Sequence, residues 1–87
     1  MRKSTHTPEY QYVLKKLVEM RQAAGLTQRG LATLLDREYS FVWRIEKGER
    51  RLDIVEFRWV CQALNVCPEE IYKELMQEMN SLPSDIS

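Results

Sequence analysis

The stretch LTQRGLATLLDREYSFVWRIEKGERR, residues 26–51, decides the fold. Thr27 offers a hydroxyl to a free backbone N–H, and the leucines after it recur at helical spacing, which predicts a helix. The residues DRE, 36–38, are too few for a loop of their own, so they predict a tight turn into a second helix over about 38–46. Gly48 ends that helix. Two short helices joined in this way, with basic residues behind the second, form a helix-turn-helix motif.

Helices are also predicted on both sides of this motif. Before it, Thr7 predicts the start of a first helix that runs to about Ala24. After it, Asp53 with Glu56 three residues later forms a capping-box pattern that opens a fourth helix, and Pro68 starts a fifth. The apolar residues expected to face the core from the first, second and fourth helices are Val13, Leu17, Met20, Ala24, Leu31, Leu34, Leu35, Ile54, Phe57, Val60, Cys61 and Leu64. The predicted fold is therefore all-α, a bundle of five helices.

The chain of 87 residues is long enough for one domain with one modest core. We expect this single domain to be ordered over about 8–79 and frayed at 1–6 and 81–87. No run approaches the roughly 18 consecutive apolar residues of a membrane span, and the first residues lack the apolar region of a secretory signal. The expected location is the cytoplasm, with no membrane partner.

Metal and catalytic chemistry have little support in the sequence. Cys61 and Cys67 are six positions apart, with no CxxC pair, and the only histidine is His6. This pattern gives neither a disulfide framework nor a zinc ligand set, so we expect two reduced thiols, no metal and no cofactor. No nucleophile is paired with a base, and the chain is not expected to be an enzyme.

Charge is distributed unevenly along a chain whose formal net charge is zero. Through Arg51 the chain carries 11 Lys and Arg against 6 Asp and Glu, whereas from Leu52 onward it carries 2 against 7. The first part is suited to an anionic partner and the second to other contacts, although a scattered solvated surface would give the same count.

Residues 26–66 resemble the XRE family, the DNA-binding domains of the phage Cro and repressor type. The resemblance rests on LTQ at 26–28, LA at 31–32, RIE and G at 44–48, and AL and V at 63–66. Together at this spacing they are a specific signature, and the likeness extends over about 9–72. It implies a repressor-like bundle that binds double-stranded DNA. The portion from Ser40 to Phe57 is similar to short bacterial regulators, mostly repressors or autoregulatory controllers of phage, restriction-modification or plasmid genes.

The resemblance also implies roles for individual residues. Tyr39, Ser40 and Arg44 match positions of the recognition helix that reach base edges in the major groove, where a guanidinium suits the two acceptors of guanine. The alternative for Arg44 is an ion pair with a neighbouring acid. The residues that match positions contacting the DNA backbone are Gln28, Lys47, Arg50 and Arg51. Where the family usually has a glycine and an apolar residue in the turn, this chain has Asp36 and Arg37. Asp36 tolerates the left-handed conformation, and Arg37 is expected to reach a phosphate.

Three aromatic side chains lie within the second helix of the motif. Val42 and Ile45 match buried positions of the family, so Tyr39 and Trp43 share the outward face, with Lys47. Phe41 lies on an intermediate flank and is expected mainly to pack against the core. Trp43 stands where the family commonly has a small residue, and two roles are open for it: a contact with DNA, or support of neighbouring side chains.

Two further expectations concern stability and partners. Arg21 and Glu46 match the arginine and glutamate that form a partly buried salt bridge in the family. The fifth helix carries more apolar surface than a small core needs, which suggests a homodimer on a palindromic operator. The expected interface residues are Trp59, Ile71, Tyr72, Leu75, Met76 and Met79. Two alternatives are that these residues extend the core, or that they bind a partner protein, as the antitoxin of a toxin-antitoxin pair does.

Overall fold

A computed structural model describes residues 4–82. Over these residues the chain forms a short 3₁₀ turn, Ser4–His6, and five α-helices, with no β-strand. The helices are α1 (Pro8–Ala23), α2 (Gln28–Leu34), α3 (Tyr39–Glu46), α4 (Ile54–Ala63) and α5 (Pro68–Asn80). The predicted all-α bundle of five helices is therefore confirmed. The ends expected to be frayed fall partly outside the described residues, at 1–3 and 83–87.

Side-chain caps explain why three of the helices begin where they do. The hydroxyl of Thr7 accepts a hydrogen bond from the backbone of Tyr10, and that of Thr27 accepts one from Gly30 at 2.9 Å. At α4 the capping box is complete, because Asp53 accepts from the Glu56 backbone while the Glu56 side chain accepts from the Asp53 backbone. The starts predicted from these residues are confirmed.

The turn between α2 and α3 depends on a left-handed residue. Asp36 has φ of 55°, which is the left-handed conformation. Aspartate tolerates this conformation at a position where the family usually has a glycine. The backbone N–H of Arg37 then donates to the carbonyl of Ala32 at 2.9 Å, which closes the end of α2. After α3, Gly48 has φ of 80° and turns the chain toward the basic loop at 49–52.

All five α-helices contribute to one hydrophobic core. Its buried members are Leu17, Met20, Leu31, Ala32, Phe41, Val42, Ile45, Phe57, Val60, Cys61, Leu64, Ile71 and Leu75. Val42 and Ile45 fasten α3 to this core, as predicted. Within residues 4–82, no helix is both long and apolar enough to cross a membrane.

Three residues that were expected in the core are exposed. Ala24 caps the end of α1 and lies beyond its last buried turn. Leu34 lies on the outer side of α2, whose inward positions are taken by Leu31 and Ala32. Ile54 shares a face with Cys61, but it is the first residue of α4, where the neighbouring side chains line a groove instead of covering it, and it is 70% exposed.

The expected dimer surface on α5 also needs correction. Ile71 and Leu75 are buried in the chain's own core, so they have no surface to offer a second copy. Met76 and Met79 are half-buried and pack against that core. The alternative that these residues extend the core holds for this face of α5, and Tyr72 is the member of the set on α5 that is exposed.

Candidate nucleic-acid interface

The outward face of α3 is both polar and aromatic. Its exposed side chains are Tyr39, Trp43 and Arg44, and Lys47 continues the face just after the helix ends. Ser40 is half-buried at the edge of this face, whereas Phe41 is buried beneath it. The face predicted from helical spacing is therefore the one that the fold leaves open.

Arg44 is exposed on the middle of this face. Within residues 4–82 its guanidinium makes neither an ion pair nor a side-chain hydrogen bond. Within these residues, the structure therefore does not contain the ion pair between Arg44 and a neighbouring acid that was the alternative. A guanidinium in this state keeps all of its N–H donors for an external acceptor.

A partly buried ion pair joins the end of α3 to α1. Arg21 Nε donates to Glu46 Oε2 at 2.7 Å and Arg21 Nη2 donates to Glu46 Oε1 at 3.1 Å, which is the bidentate geometry that a guanidinium and a carboxylate favour. Arg21 Nη1 also donates to the carbonyl of Leu26, in the link between α1 and α2. The pair therefore fixes α3 and this link relative to α1.

Gln28 extends this network from α2 toward the exposed face. Its Nε2 donates to Glu46 Oε1 at 2.8 Å, and its Oε1 accepts from the Tyr39 hydroxyl at 3.5 Å. The guanidinium of Arg29 lies over the Tyr39 ring, 4.9 Å from its centroid. Gln28 was expected to contact a phosphate, but its amide nitrogen and its amide oxygen both make hydrogen bonds within the protein. The second of these helps to orient Tyr39.

Trp43 supports a neighbouring cation. The Lys47 ammonium lies 4.4 Å from the centroid of the Trp43 ring, one helical turn away. The other contact of Lys47 is a long ion pair of 4.0 Å with Glu49. Of the two roles open for Trp43, the structure shows the support of a neighbouring side chain, that of Lys47. The ring is still exposed enough to contact a ligand as well.

The basic residues expected at the DNA backbone fall into two groups. Lys47 and Arg51 are exposed. Arg50 instead makes two hydrogen bonds to Glu56, at 2.9 and 2.7 Å, and Arg37 approaches the same carboxylate at 3.6 Å. These hydrogen bonds from Arg50 lower the pKa of Glu56, and the same contact raises the pKa of Arg50.

Glu56 has a structural role that the sequence analysis missed. It was recognised as half of a capping box, and the structure adds two arginine partners to that role. Its side chain is only 5% exposed, which is uncommon for an acid without a partner. The signal in the sequence was Arg50, six positions before Glu56 and on the other side of the loop that ends in the cap of α4. It could have indicated the pairing.

Two exposed apolar surfaces lie apart from each other. The first, here called the α4–α5 groove, is lined by Ile54, Phe57, Tyr72, Met76 and Met79 together with Tyr10 and Val13 of α1. The second, here called the Trp59 surface, is formed by Trp59, Leu34, Leu35 and Ala63 near the turn of the motif. Trp59 and Tyr72 were expected in one interface, but they belong to different surfaces.

Comparisons with known proteins agree with this geometry. The helix-turn-helix domain family matches residues 16–72. An XRE-family-like protein from Pseudomonas syringae pv. tomato strain DC3000 is 41% identical, with a TM-score of 0.78 over 84% of this chain and 91% of its own. A point mutant of the restriction-modification controller protein C.Esp1396I is 22% identical, with a TM-score of 0.76 over 88% of this chain and 98% of its own, and this second likeness bears on the fold alone. No curated protein sequence matches the chain.

Within the described part of the chain, no group of three or more His, Cys, Asp or Glu could hold a metal ion.

Proposed function

The chain belongs to the XRE family of helix-turn-helix DNA-binding regulators, and we propose that it controls transcription by placing α3 in the major groove of a specific duplex. The observation that carries this proposal is the state of Arg44, which is exposed on the outward face of α3 without a side-chain partner among residues 4–82. A planar guanidinium in a groove 12 Å wide pairs with O6 and N7 of guanine, the commonest specific contact in such complexes. Tyr39 and Ser40 are proposed to contact adjacent bases.

Phosphate contacts are assigned to the cations around this face. Lys47 and Arg51 flank α3 at its C-terminal end and are exposed, so each is proposed to neutralise a backbone phosphate. Gln28 is proposed to contact a phosphate only through its remaining amide hydrogen, because its other bonds hold Glu46 and Tyr39. Such contacts set the position of the protein on the duplex but carry no sequence information.

Selection of bound sites from random duplexes tests this proposal. We expect an enriched motif with a guanine in each half-site, bound by the wild-type protein with an affinity that falls as salt rises. A selection that enriches no motif, together with a binding constant indifferent to salt, would contradict the proposal.

We further propose that the chain works as a homodimer joined through the α4–α5 groove. Ile54 projects from the rim of this groove, beside the exposed ring of Tyr72. Arg58 and Glu69, of opposite charge, line an adjoining pocket that shares Ile54 and Tyr72 with the groove, and the proposed twofold interface pairs Arg58 of each copy with Glu69 of the other. The two recognition helices would then lie about 34 Å apart on a palindromic site. A dimer seated on such a site would block access to an overlapping promoter, which is the basis for proposing repression or autoregulation.

A pair of surface variants tests the dimer. Ile54→Glu places a charge in the α4–α5 groove at an exposed position, whereas Trp59→Ser removes a comparable apolar side chain from the Trp59 surface. In sedimentation at high micromolar concentration, we expect wild-type and Trp59→Ser to be dimers and Ile54→Glu to be a monomer. A wild-type monomer under these conditions would refute the dimer, and dissociation of Trp59→Ser alone would move the interface to the other surface.

The Trp59 surface favours a second candidate function, the binding of a partner protein. Leu34 at the end of α2 and Trp59 on α4 are large exposed apolar residues, and the proposed dimer leaves them uncovered. Expression beside neighbouring genes tests this function: co-purification of a small protein that Trp59→Ser abolishes would support it. Purification of the regulator alone, with every neighbouring product present, would count against it.

A further inference from the structure

A buried carboxylate lies beneath two arginines at the edge of the recognition helix. Glu56, in the first turn of α4, accepts two hydrogen bonds from Arg50 and a third from the backbone of Asp53. Arg37, from the turn between α2 and α3, lies 3.6 Å from the same carboxylate. One acid therefore joins the turn that precedes α3 to the loop that follows it.

The ring of Phe41 restrains the same two arginines from a second direction. The guanidinium of Arg37 lies 4.6 Å from the ring centroid and that of Arg50 lies 4.8 Å from it. Phe41 itself is buried on α3, so the ring is a fixed support. Both arginines are thus held in place by a carboxylate and an aromatic ring, which is an elaborate arrangement for two surface cations.

Both arginines still face solvent. The side chains of Arg37 and Arg50 are 41% and 39% exposed. They line one cleft beside α3, together with Arg44, Ser40 and two acids, Asp36 and Glu38. Three N–H groups of Arg50 are taken by Glu56 and by the carbonyl of Arg51. Since a guanidinium has five N–H donors, Arg50 keeps two for an external acceptor.

We propose that Glu56 is a positioning residue, an internal counter-ion that holds Arg37 and Arg50 as one preorganised site for a backbone phosphate. The proposal deepens the DNA-binding function above and rests on it. Two arginines and one glutamate carry a net charge of +1, which one phosphate charge neutralises. Free arginines lose side-chain freedom when they bind a phosphate, whereas these two have already lost much of it on folding.

The proposal makes a prediction opposite in sign to simple electrostatics. If Glu56 acted on DNA only through its charge, its removal would strengthen binding, because one negative charge near the duplex would be gone. If Glu56 positions the arginines, Glu56→Gln should weaken binding, because a glutamine directs an N–H₂ group at the guanidinium groups and cannot hold both of them. The direction of the change therefore separates the two roles.

Asp53→Asn is the matched control for this experiment. It removes the same charge three residues away in the same cap, and asparagine still caps a helix well. Affinities for a duplex obtained by site selection are measured over a range of salt, at a temperature where each variant is fully folded by circular dichroism. We expect Asp53→Asn to bind as tightly as wild-type or more tightly. We expect Glu56→Gln to bind at least roughly tenfold more weakly, with a salt slope reduced by about 1.

Arg50→Lys gives a second measurement that does not depend on the stability of Glu56→Gln. Lysine keeps the charge but lacks the planar fork that Glu56 and Phe41 hold, so binding should fall to a level near that of Glu56→Gln. In an Arg50→Gln background, Glu56→Gln should cost less affinity than it does alone, because part of its effect passes through Arg50.

Each outcome decides between the role of Glu56 and the proposed function. Wild-type protein that binds no selected duplex would overturn the DNA-binding function and this inference with it. Wild-type protein that binds, with Glu56→Gln as tight as Asp53→Asn or Arg50→Lys as tight as wild-type, would overturn the positioning role alone.

Discussion

Glu46→Ala tests how strongly the partly buried pair with Arg21 holds α3 in place. The Glu46 side chain is 8% exposed and accepts three hydrogen bonds, two from Arg21 and one from Gln28. The substitution leaves the Arg21 guanidinium buried with one remaining acceptor, the carbonyl of Leu26. It also frees the amide of Gln28, which orients Tyr39.

The expected loss of stability follows from this burial. Removing one partner of a buried ion pair costs about 3–5 kcal/mol, because the other charge stays buried without compensation. Two smaller effects oppose this loss: alanine favours helix slightly more than glutamate, and an acid at a helix C-terminus is unfavourable by about 0.3–1 kcal/mol. The net loss is therefore about 2–4 kcal/mol, against a total near 4–13 kcal/mol for a domain of this size. At roughly 4–8 °C per kcal/mol, the melting temperature should fall by about 8–30 °C.

Glu74→Ala is the matched control, because it breaks an ion pair of similar length at the surface. Lys16 Nζ lies 2.8 Å from Glu74, whose side chain is 52% exposed, and exposed pairs contribute about 0–1 kcal/mol. The Lys16 side chain is only 16% exposed, but it keeps Glu78 at 3.8 Å when Glu74 is removed. Urea unfolding followed by circular dichroism measures both variants. Equal small losses for Glu46→Ala and Glu74→Ala would refute the argument from burial. Replacement of both Arg21 and Glu46 by apolar residues should cost less than Glu46→Ala, since no charge is then left unpaired.

Three further predictions concern single side chains. At neutral pH a thiol reagent should label Cys67 only, because burial raises the pKa of Cys61 to about 11, and mass spectrometry should find two labels after unfolding; two labels on the native protein would contradict this. The pairing of Glu56 with Arg50 stabilises the fold fully above the ordinary glutamate pKa of 4.5 and is lost as the pH falls through its lower pKa in the folded state, with Arg37 acting in the same direction. Below about pH 4.5 the melting temperature should therefore fall less steeply with decreasing pH for Glu56→Gln than for wild-type. Identical slopes of melting temperature against pH would show that the pair contributes nothing to stability. Trp43→Ser should weaken binding to all duplexes by a similar factor, because Lys47 loses its support, whereas a changed sequence preference in a repeated selection would mean that the indole reads bases.

Residues with local physical roles could be predicted from the sequence. Thr27 and Asp53 are caps because their side-chain oxygens accept from backbone N–H groups a few residues on, and that chemistry is visible in the sequence alone. Val42 and Ile45 are buried, as their helical spacing and the buried positions that they match in the family implied. The pairing of Arg21 with Glu46, separated by 25 positions, came from the family resemblance and not from spacing.

Residues whose surroundings depend on packing between helices were harder to predict. Ile54 and Leu34 have the right spacing for the core, but no neighbouring element covers them. Ile71 and Leu75 were expected at a partner surface, because apolar residues at helical spacing do not reveal whether the chain itself or a second copy covers them. Arg37 was expected to extend outward, and the carboxylate that holds it comes from α4, nineteen positions later in the chain.

The specificity of Arg44→Ala tests the central claim most directly. The measurement is the ratio of affinities for a selected duplex and for a random one, compared between wild-type, Arg44→Ala and Lys47→Ala at one salt concentration. We predict that Arg44→Ala lowers this ratio by about 5- to 150-fold, the effect of losing a bidentate contact to guanine. Lys47→Ala should leave the ratio unchanged and reduce the salt slope by about 1. An Arg44→Ala protein that keeps the wild-type ratio would contradict the assignment of α3 as the helix that reads the sequence.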